Sequence, residues 1–350
     1  MSVDSFAPAR LTMARELAGL RKRELADAIE RPADAVSRYE LGQSQPTADV
    51  LRRCAAALDV DITFFTAGRP HLRLDTAGAH FRSLRATTAV QRQQALAHVE
   101  LLWELTDQLD HVIELPTVDL DLPPGDPATT ARRLRDAWHL PPGPVVHLVR
   151  HLEARGIVIT GIPDSERIDA FSAALHGRPM IALSARGNPM RRRFSVAHEV
   201  GHLLLHPEPA PGSGRHEREA NVFAAEFLMP AGELGEQLPA PDDVPALKDL
   251  ADGYGVSVTA LAYRGKDLGR YDDADLRRTL ATIARLGWRK NEPVRSEFPG
   301  EQPLLLAQAV ELAAAHGLPP PRLAAALHIG LPRLRQLIGL PDQRPRLRLV

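Results

Sequence analysis

Apolar residues recur at three- and four-residue intervals in short bursts over residues 9–68, and Pro32, Gly42 and Pro46 punctuate the bursts. This spacing predicts helices over residues 10–20, 24–29 and 33–39. A fourth follows, N-capped by Thr47 and running to Leu58, with Leu51, Ala55 and Leu58 on one face. Residues 75–79 read as a linker, and residues 81–85 open the next region. Residues 88–112 keep the helical spacing long enough for one long helix, after which a proline cluster over residues 116–127 marks a loop. Residues 129–138 and 145–154 read as helices, the second ending at Gly156. Residues 157–162, 168–175 and 180–184 are short, β-branched or apolar runs that predict three strands. Helical spacing returns over residues 191–205 and 216–228, where Met229-Pro230 stops it. Two further stretches, 250–261 and 323–339, repeat the Leu-Ala…Val/Ile…Leu theme of residues 24–42 and read as helix–turn–helix-like units. The predicted class is therefore mainly α with a small β-sheet, an α+β protein.

Length and composition refine this. A chain of 350 residues holds two or three domains, and 44% hydrophobic residues suffice for sizeable cores. Aromatics at 5% leave those cores to Leu, Val and Ala. The single cysteine, Cys54, can neither form an internal disulfide nor complete a thiolate metal cage, and its Ala/Leu-rich setting makes it a small core residue. No apolar run is long enough for a membrane span, and the first residues lack a basic stretch followed by an apolar one. A cytoplasmic protein with no membrane partner is the expectation. A net charge of −1 means that any nucleic-acid contact must come from a local patch.

Candidate chemistry concentrates in the run FSVAHEVGHLLLH, residues 194–206. At ~100° per residue on a helix, His198 and His202 lie one turn apart on one face, so both imidazoles reach a single metal ion. Glu199, one residue on, stands beside that ion, where a carboxylate can take a proton from water acidified toward pKa ~7 by the metal. A catalytic zinc site has three protein ligands and one open position. The run HEREANVFAAEFLMP, residues 216–230, supplies the third. Glu217 and Asn221 share a face, so Glu217 is the preferred ligand and Asn221 orients a neighbouring ligand. Glu219 lies ~200° round the helix and is the lesser candidate. His216 is a further one, and His206 fits a supporting or capping role. The alternative is an exposed helix face without metal. That reading would bury two histidines and a glutamate among Phe194, Val196, Val200 and Leu203 without partners, which is costly. Gly201 allows a neighbouring element to approach closely.

These two segments resemble the ImmA/IrrE family of metallo-endopeptidases. The runs LRDAWHLPPGPV (134–145), IDAFSA (168–173) and LADGYGVSVTALAYR (250–264) extend the likeness over roughly residues 81–340. The resemblance implies a gluzincin-like metallopeptidase domain with His198, His202 and Glu217 as metal ligands and Glu199 as general base. It implies Zn2+, with Mn2+ as the other candidate, and a repressor protein as substrate in stress or mobile-element gene regulation. The division it gives is a helix–turn–helix domain over residues 1–70, a metallopeptidase domain preceded by a long helix over 71–240, and a helix–turn–helix-like helical region over 241–350.

Residues 20–46 separately resemble phage-repressor-type helix–turn–helix domains. Lys22 stands where the first motif helix usually begins with Gln, and the turn reads Glu30-Arg31-Pro32 in place of one containing glycine. By position the recognition helix offers Asp34, Ser37 and Arg38, which with Lys22 are the candidate DNA contacts. Arg38 suits a base or a phosphate, whereas Asp34 repels phosphate unless it accepts from cytosine. Residues 1–70 carry ten basic and ten acidic side chains, so bulk attraction to DNA is weak and salt-sensitive. Such modules often pair, which makes a homodimer an expectation. For the developing oxyanion of hydrolysis the candidates are Arg193, Tyr254 and Tyr263. The run 180–184 is the candidate strand edge for an extended substrate. The competing reading of the whole chain is a transcriptional regulator whose metal domain senses a ligand or metal without proteolysis.

Overall fold

The structure is a computed structural model that describes residues 6–66, 80–81, 88–123, 125–162, 169–184, 188–207, 213–294, 298 and 301–340. The linker at 75–79 and most of the 81–85 run lie outside the described residues. The chain opens with four helices, α1 (Pro8–Leu17), α2 (Lys22–Ala28), α3 (Ala35–Glu40) and α4 (Ala48–Leu58), followed by a single 3-10 turn, Ile62–Phe65. Strand β1 (His80–Phe81) precedes the long helix α5 (Ala89–Asp110), then α6 (Pro127–Ala137) and α7 (Leu148–Glu153). Strands β2 (Val158–Ile162), β3 (Ala170–Leu175) and β4 (Arg178–Ser184) lead into α8 (Pro189–Leu205) and α9 (Gly214–Leu228). Short α10 (Ala231–Leu234) is followed by α11 (Val244–Tyr254), α12 (Val258–Asp267), α13 (Asp273–Arg285) and α14 (Trp288–Asn291), and the described chain closes with α15 (Leu305–Ala315), α16 (Pro320–Ala326) and α17 (Leu331–Leu337).

Local chemistry sets many of these boundaries. Thr47 accepts from the Val50 amide and Thr88 from the Gln91 amide, each satisfying an orphan donor of a helix's first turn. Asn188, followed by Pro189, does the same for α8, and Ser213 for α9. Helix α7 starts later than its apolar spacing predicts because His147 adopts a left-handed conformation, φ 56°, just ahead of it. The recognition helix also starts late, at Ala35, with Asp34 as its cap. The turn before it needs a left-handed residue where glycine is usual, and Glu30 fills that place at φ 54°. Arg53 steadies the turn by donating to the Ile29 carbonyl at 3.0 Å.

The sheet order is β1-β3-β4-β2, antiparallel except for the β2–β4 pair. Both faces are covered, and the alternation of side chains assigns each residue to a side. Val158, Ile162, Phe171, Ala173, Met180 and Ala182 join one core with α1, α2, α4, α5 and α15–α17. Ile157, Ile159, Ala170, Ile181 and Leu183 join a second with α6–α9 and α11–α13. Strand β4 lies inside the sheet, paired on both sides, so the 180–184 run presents no edge to a substrate and that expectation is corrected.

The first core runs without interruption from the N-terminal helices into α5. Arg10 of α1, 1% exposed, is ion-paired with Glu104 of α5, donates through Nε to the Phe64 carbonyl at 3.2 Å and lies over the Phe64 ring at 4.1 Å. Cys54 is fully buried in this core, where burial pushes its thiol up to about 11 and keeps it unreactive.

Candidate metal centre

Helices α8 and α9 pack side by side on the α6–α13 side of the sheet. Their close approach is set at Gly201, where a Cβ would lie 3.0 Å from Phe223 Cδ1. Gly201→Val is expected to force the helices apart and lower stability by about 1–3 kcal/mol, read as a shifted urea midpoint.

His198 Nε2 lies 3.0 Å from His202 Nε2, and the rings meet edge to face at 76°. Glu217, in the first turn of α9, puts its two carboxylate oxygens 3.5 Å from His198 Nε2 and 3.4 Å from His202 Nε2. A tetrahedral ion with bonds of about 2.0–2.1 Å separates its donors by roughly 3.3 Å, so the three donors have the spacing of such a site.

Tautomers agree with this. Asn221 Oδ1 can only accept, so the 3.0 Å contact puts a proton on His198 Nδ1 and leaves Nε2 with its lone pair toward the trio. A longer chain does the same for His202. His206 Nε2 donates to Glu219 Oε2 at 2.9 Å. Burial, the larger influence, lowers the pKa of His206, with Glu219 pulling the other way. A neutral His206 then has its lone pair on Nδ1, 3.1 Å from His202 Nδ1. The shared proton therefore belongs to His202, whose Nε2 lone pair also points at the trio. Outer hydrogen bonds of this kind fix ring orientation and raise ligand basicity. His206→Ala and Glu219→Gln are each expected to weaken metal binding about 10–100-fold, read by competition with a chromophoric chelator. The double variant should be no weaker than the worse single one, because the two residues act in series.

His206, His216 and Glu219 also gather within metal-binding reach of one another. Both ring nitrogens of His206 are already engaged, however, and its ring stacks on His216 at 4.0 Å and 10°. Parallel rings send their lone pairs along parallel planes, not to one point. The arrangement is a hydrogen-bonded support for His202.

Glu199 is fully buried beside the trio and does not belong to it. Its Oε2 accepts from Ser172 Oγ at 2.7 Å. Ser172 shares the β3 face of Ala170, toward α8, and is the functional neighbour that the sequence reading missed. The available signal was a lone polar residue at an inward position of a strand otherwise apolar on that face.

Arg193 does not serve as an oxyanion donor. It is buried, ion-paired with Glu301, and donates to the Gly255 carbonyl at 2.9 Å and to that of Val145. Tyr254 is a core residue. Tyr263 is half exposed and lines a cleft of about 430 Å³ with Asp169, Phe194, Ser195, Asn221 and Val222. A more open groove at the other end of α8 is lined by His206, His216, Glu219 and Arg215.

At the N-terminus the four candidate DNA contacts form two touching pairs. Lys22 Nζ lies 3.4 Å from Ser37 Oγ and 3.1 Å from Glu40, while Arg38 is paired with Asp34 at 3.5 Å on the exposed face of α3.

Helix–turn–helix helices packed onto an α/β unit that carries an H-E-x-x-H helix define a two-part class of protein. Residues 9–63 match the model of a helix–turn–helix domain and residues 152–266 that of the IrrE N-terminal-like domain. The radiation response metalloprotease IrrE of Deinococcus deserti is similar at 31% identity in an alignment 135 residues long that covers 35% of this chain and 47% of that protein. The chain thus matches about half the length of this relative.

Proposed function

We propose that the chain is a zinc-dependent endopeptidase of the H-E-x-x-H gluzincin type that cleaves a DNA-binding repressor, joined to its own DNA-binding module. The observation that carries this is the pairing of a three-donor cluster at tetrahedral spacing with a buried carboxylate, Glu199, that stands next to it without joining it. Two imidazoles and one carboxylate favour zinc over manganese. Bound there, zinc would acidify water and polarise a carbonyl. Glu199 takes the proton of the attacking water and returns it to the leaving amine, while Ser172 holds the carboxylate in place. The Phe194–Tyr263 cleft and the His206–His216 groove, toward the two ends of α8, are the places offered to an extended peptide. The name of the D. deserti relative, a metalloprotease of radiation response, supports carrying proteolysis and a stress role to this chain.

The working units are residues 1–70, 71–240 and 241–350, with Lys22, Ser37 and Arg38 facing DNA and Asp34 releasing Arg38 on binding. Among the described residues no helix is long and apolar enough to cross a membrane, and action in the cytoplasm as a homodimer belongs to the same reading. Incubating zinc-loaded protein with helix–turn–helix repressors, with and without chelator, tests it. New fragments that vanish with chelator are the expected result. Metal-dependent DNA affinity without any fragments would favour a sensor that does not cut.

A further inference from the structure

A second cavity, of about 200 Å³, lies far from the metal centre in sequence and in lining. Its walls are Leu17 and Ala18 at the end of α1, Gln94 and His98 of α5, Ile162 of β2, and Arg333 and Gln336 of α17. It is therefore built where the N-terminal helices, the sheet and the last described helix meet. Two polar atoms in this lining are buried without a hydrogen-bond partner, His98 Nε2 and Arg333 Nε. Each such group carries a desolvation cost of about 1–3 kcal/mol, more for a charged one, unless something answers it.

The two atoms ask for different things. Arg333 makes no ion pair among the described residues, and Asp59 acts on it only through space. Its guanidinium is a half-buried cation without a direct ion partner among the described residues, and it only donates. The ring of His98, 6% exposed, gives its one proton to the backbone of Gly161. Burial first, and Arg333 second, push its pKa down to about 4, so the ring is neutral and Nε2 offers a lone pair. The occupant must thus bring negative charge to Arg333 and a proton to His98. A plain carboxylate, or sulfate at neutral pH, brings only the first. The side-chain amides of Gln94 and Gln336 can donate to further oxygens, and one water's share of liquid volume, about 30 Å³, leaves ample room for a tetrahedral anion.

We propose that the cavity between α1, α5, β2 and α17 binds a small oxyanion bearing a hydroxyl, of which hydrogen phosphate is the simplest and a small phosphomonoester an elaboration. The ligand lies against the turn that joins α1 to α2, where Gln94 already donates to the Leu17 carbonyl at 3.4 Å and Gly19 takes a left-handed conformation at φ 67°. Its occupancy fastens the N-terminal helices to α5 and α17, so it can report a metabolic signal to the DNA-facing module independently of the metal site.

Calorimetric titration of the full-length protein with inorganic phosphate, and in parallel with glycerol phosphate, tests this at constant ionic strength. Saturable phosphate binding is expected, with a melting temperature that rises on addition of phosphate and not of chloride. Arg333→Gln should weaken binding about tenfold or more, and Arg333→Lys, which keeps the charge, should retain part of it. Should Arg333→Gln fail to fold, Gln336→Leu at the cavity rim provides the second variant, with a several-fold loss expected. Tighter binding of the ester than of phosphate also supports the site and extends it to an organic group. Absence of saturable binding, or binding unchanged in both Arg333→Gln and Gln336→Leu, overturns the proposal. Sulfate bound as tightly as phosphate overturns the role given to His98.

Discussion

Glu199→Gln is expected to lower the initial rate of repressor cleavage by about 10²–10⁴-fold while leaving one metal ion per chain. The amide keeps the shape of the carboxylate and can still accept from Ser172 Oγ, now at 2.7 Å from Glu199 Oε2. It cannot take up a proton from water. Since the residue lies outside the His198–His202–Glu217 trio, metal content should be unchanged, and metal analysis alongside the rate separates loss of the base from loss of the ion. Replacing a trio member instead, as in His202→Ala, should remove both together. Undiminished cleavage by Glu199→Gln would withdraw the base from this residue.

The second large effect is on stability. Glu104→Ala is expected to lower the unfolding free energy by about 3–5 kcal/mol, because it strands Arg10 as a buried, uncompensated cation. Arg10 is 1% exposed, and its remaining contacts, the Phe64 carbonyl and ring and the Met13 sulfur, are all uncharged and leave its charge unanswered. Urea unfolding followed by far-UV circular dichroism gives the number. Replacing both residues with apolar ones of similar volume should recover much of the loss. A shift below 1 kcal/mol for the single change would mean that the pair is solvated in solution.

Helical periodicity carries its own geometry, and for that reason the gathering of His198, His202 and Glu217 was readable in advance. His198 and His202 sit one turn apart on one helix, and Glu217 and Asn221 do the same on another, so each pair's shared face follows from 3.6 residues per turn. What the sequence could not supply depends on how separate elements cross. Glu219, on the far side of its helix from Glu217 by angle, reaches His206 because α9 runs past the C-terminal end of α8. Ser172 meets Glu199 only through the strand order, and the same order places β4 inside the sheet. Arg193 looked available because its acceptors, Val145, Gly255 and Glu301, are distant in the chain. Left-handed residues such as Glu30 and His147 carry side chains that do not announce that conformation.

The unbroken core from α1 through α5 to the sheet has a geometric corollary. If α3 lies in a DNA groove, the His198–His202–Glu217 trio is held at a fixed distance and angle from the duplex, like a tool on a jig. A repressor seated on an adjacent operator would then be reached at one rotational phase. Lengthening the spacer between the two operators by about five base pairs should carry the target to the opposite side of the duplex, and a further five should bring it back. Cleavage on such templates should rise and fall with the pitch of the double helix.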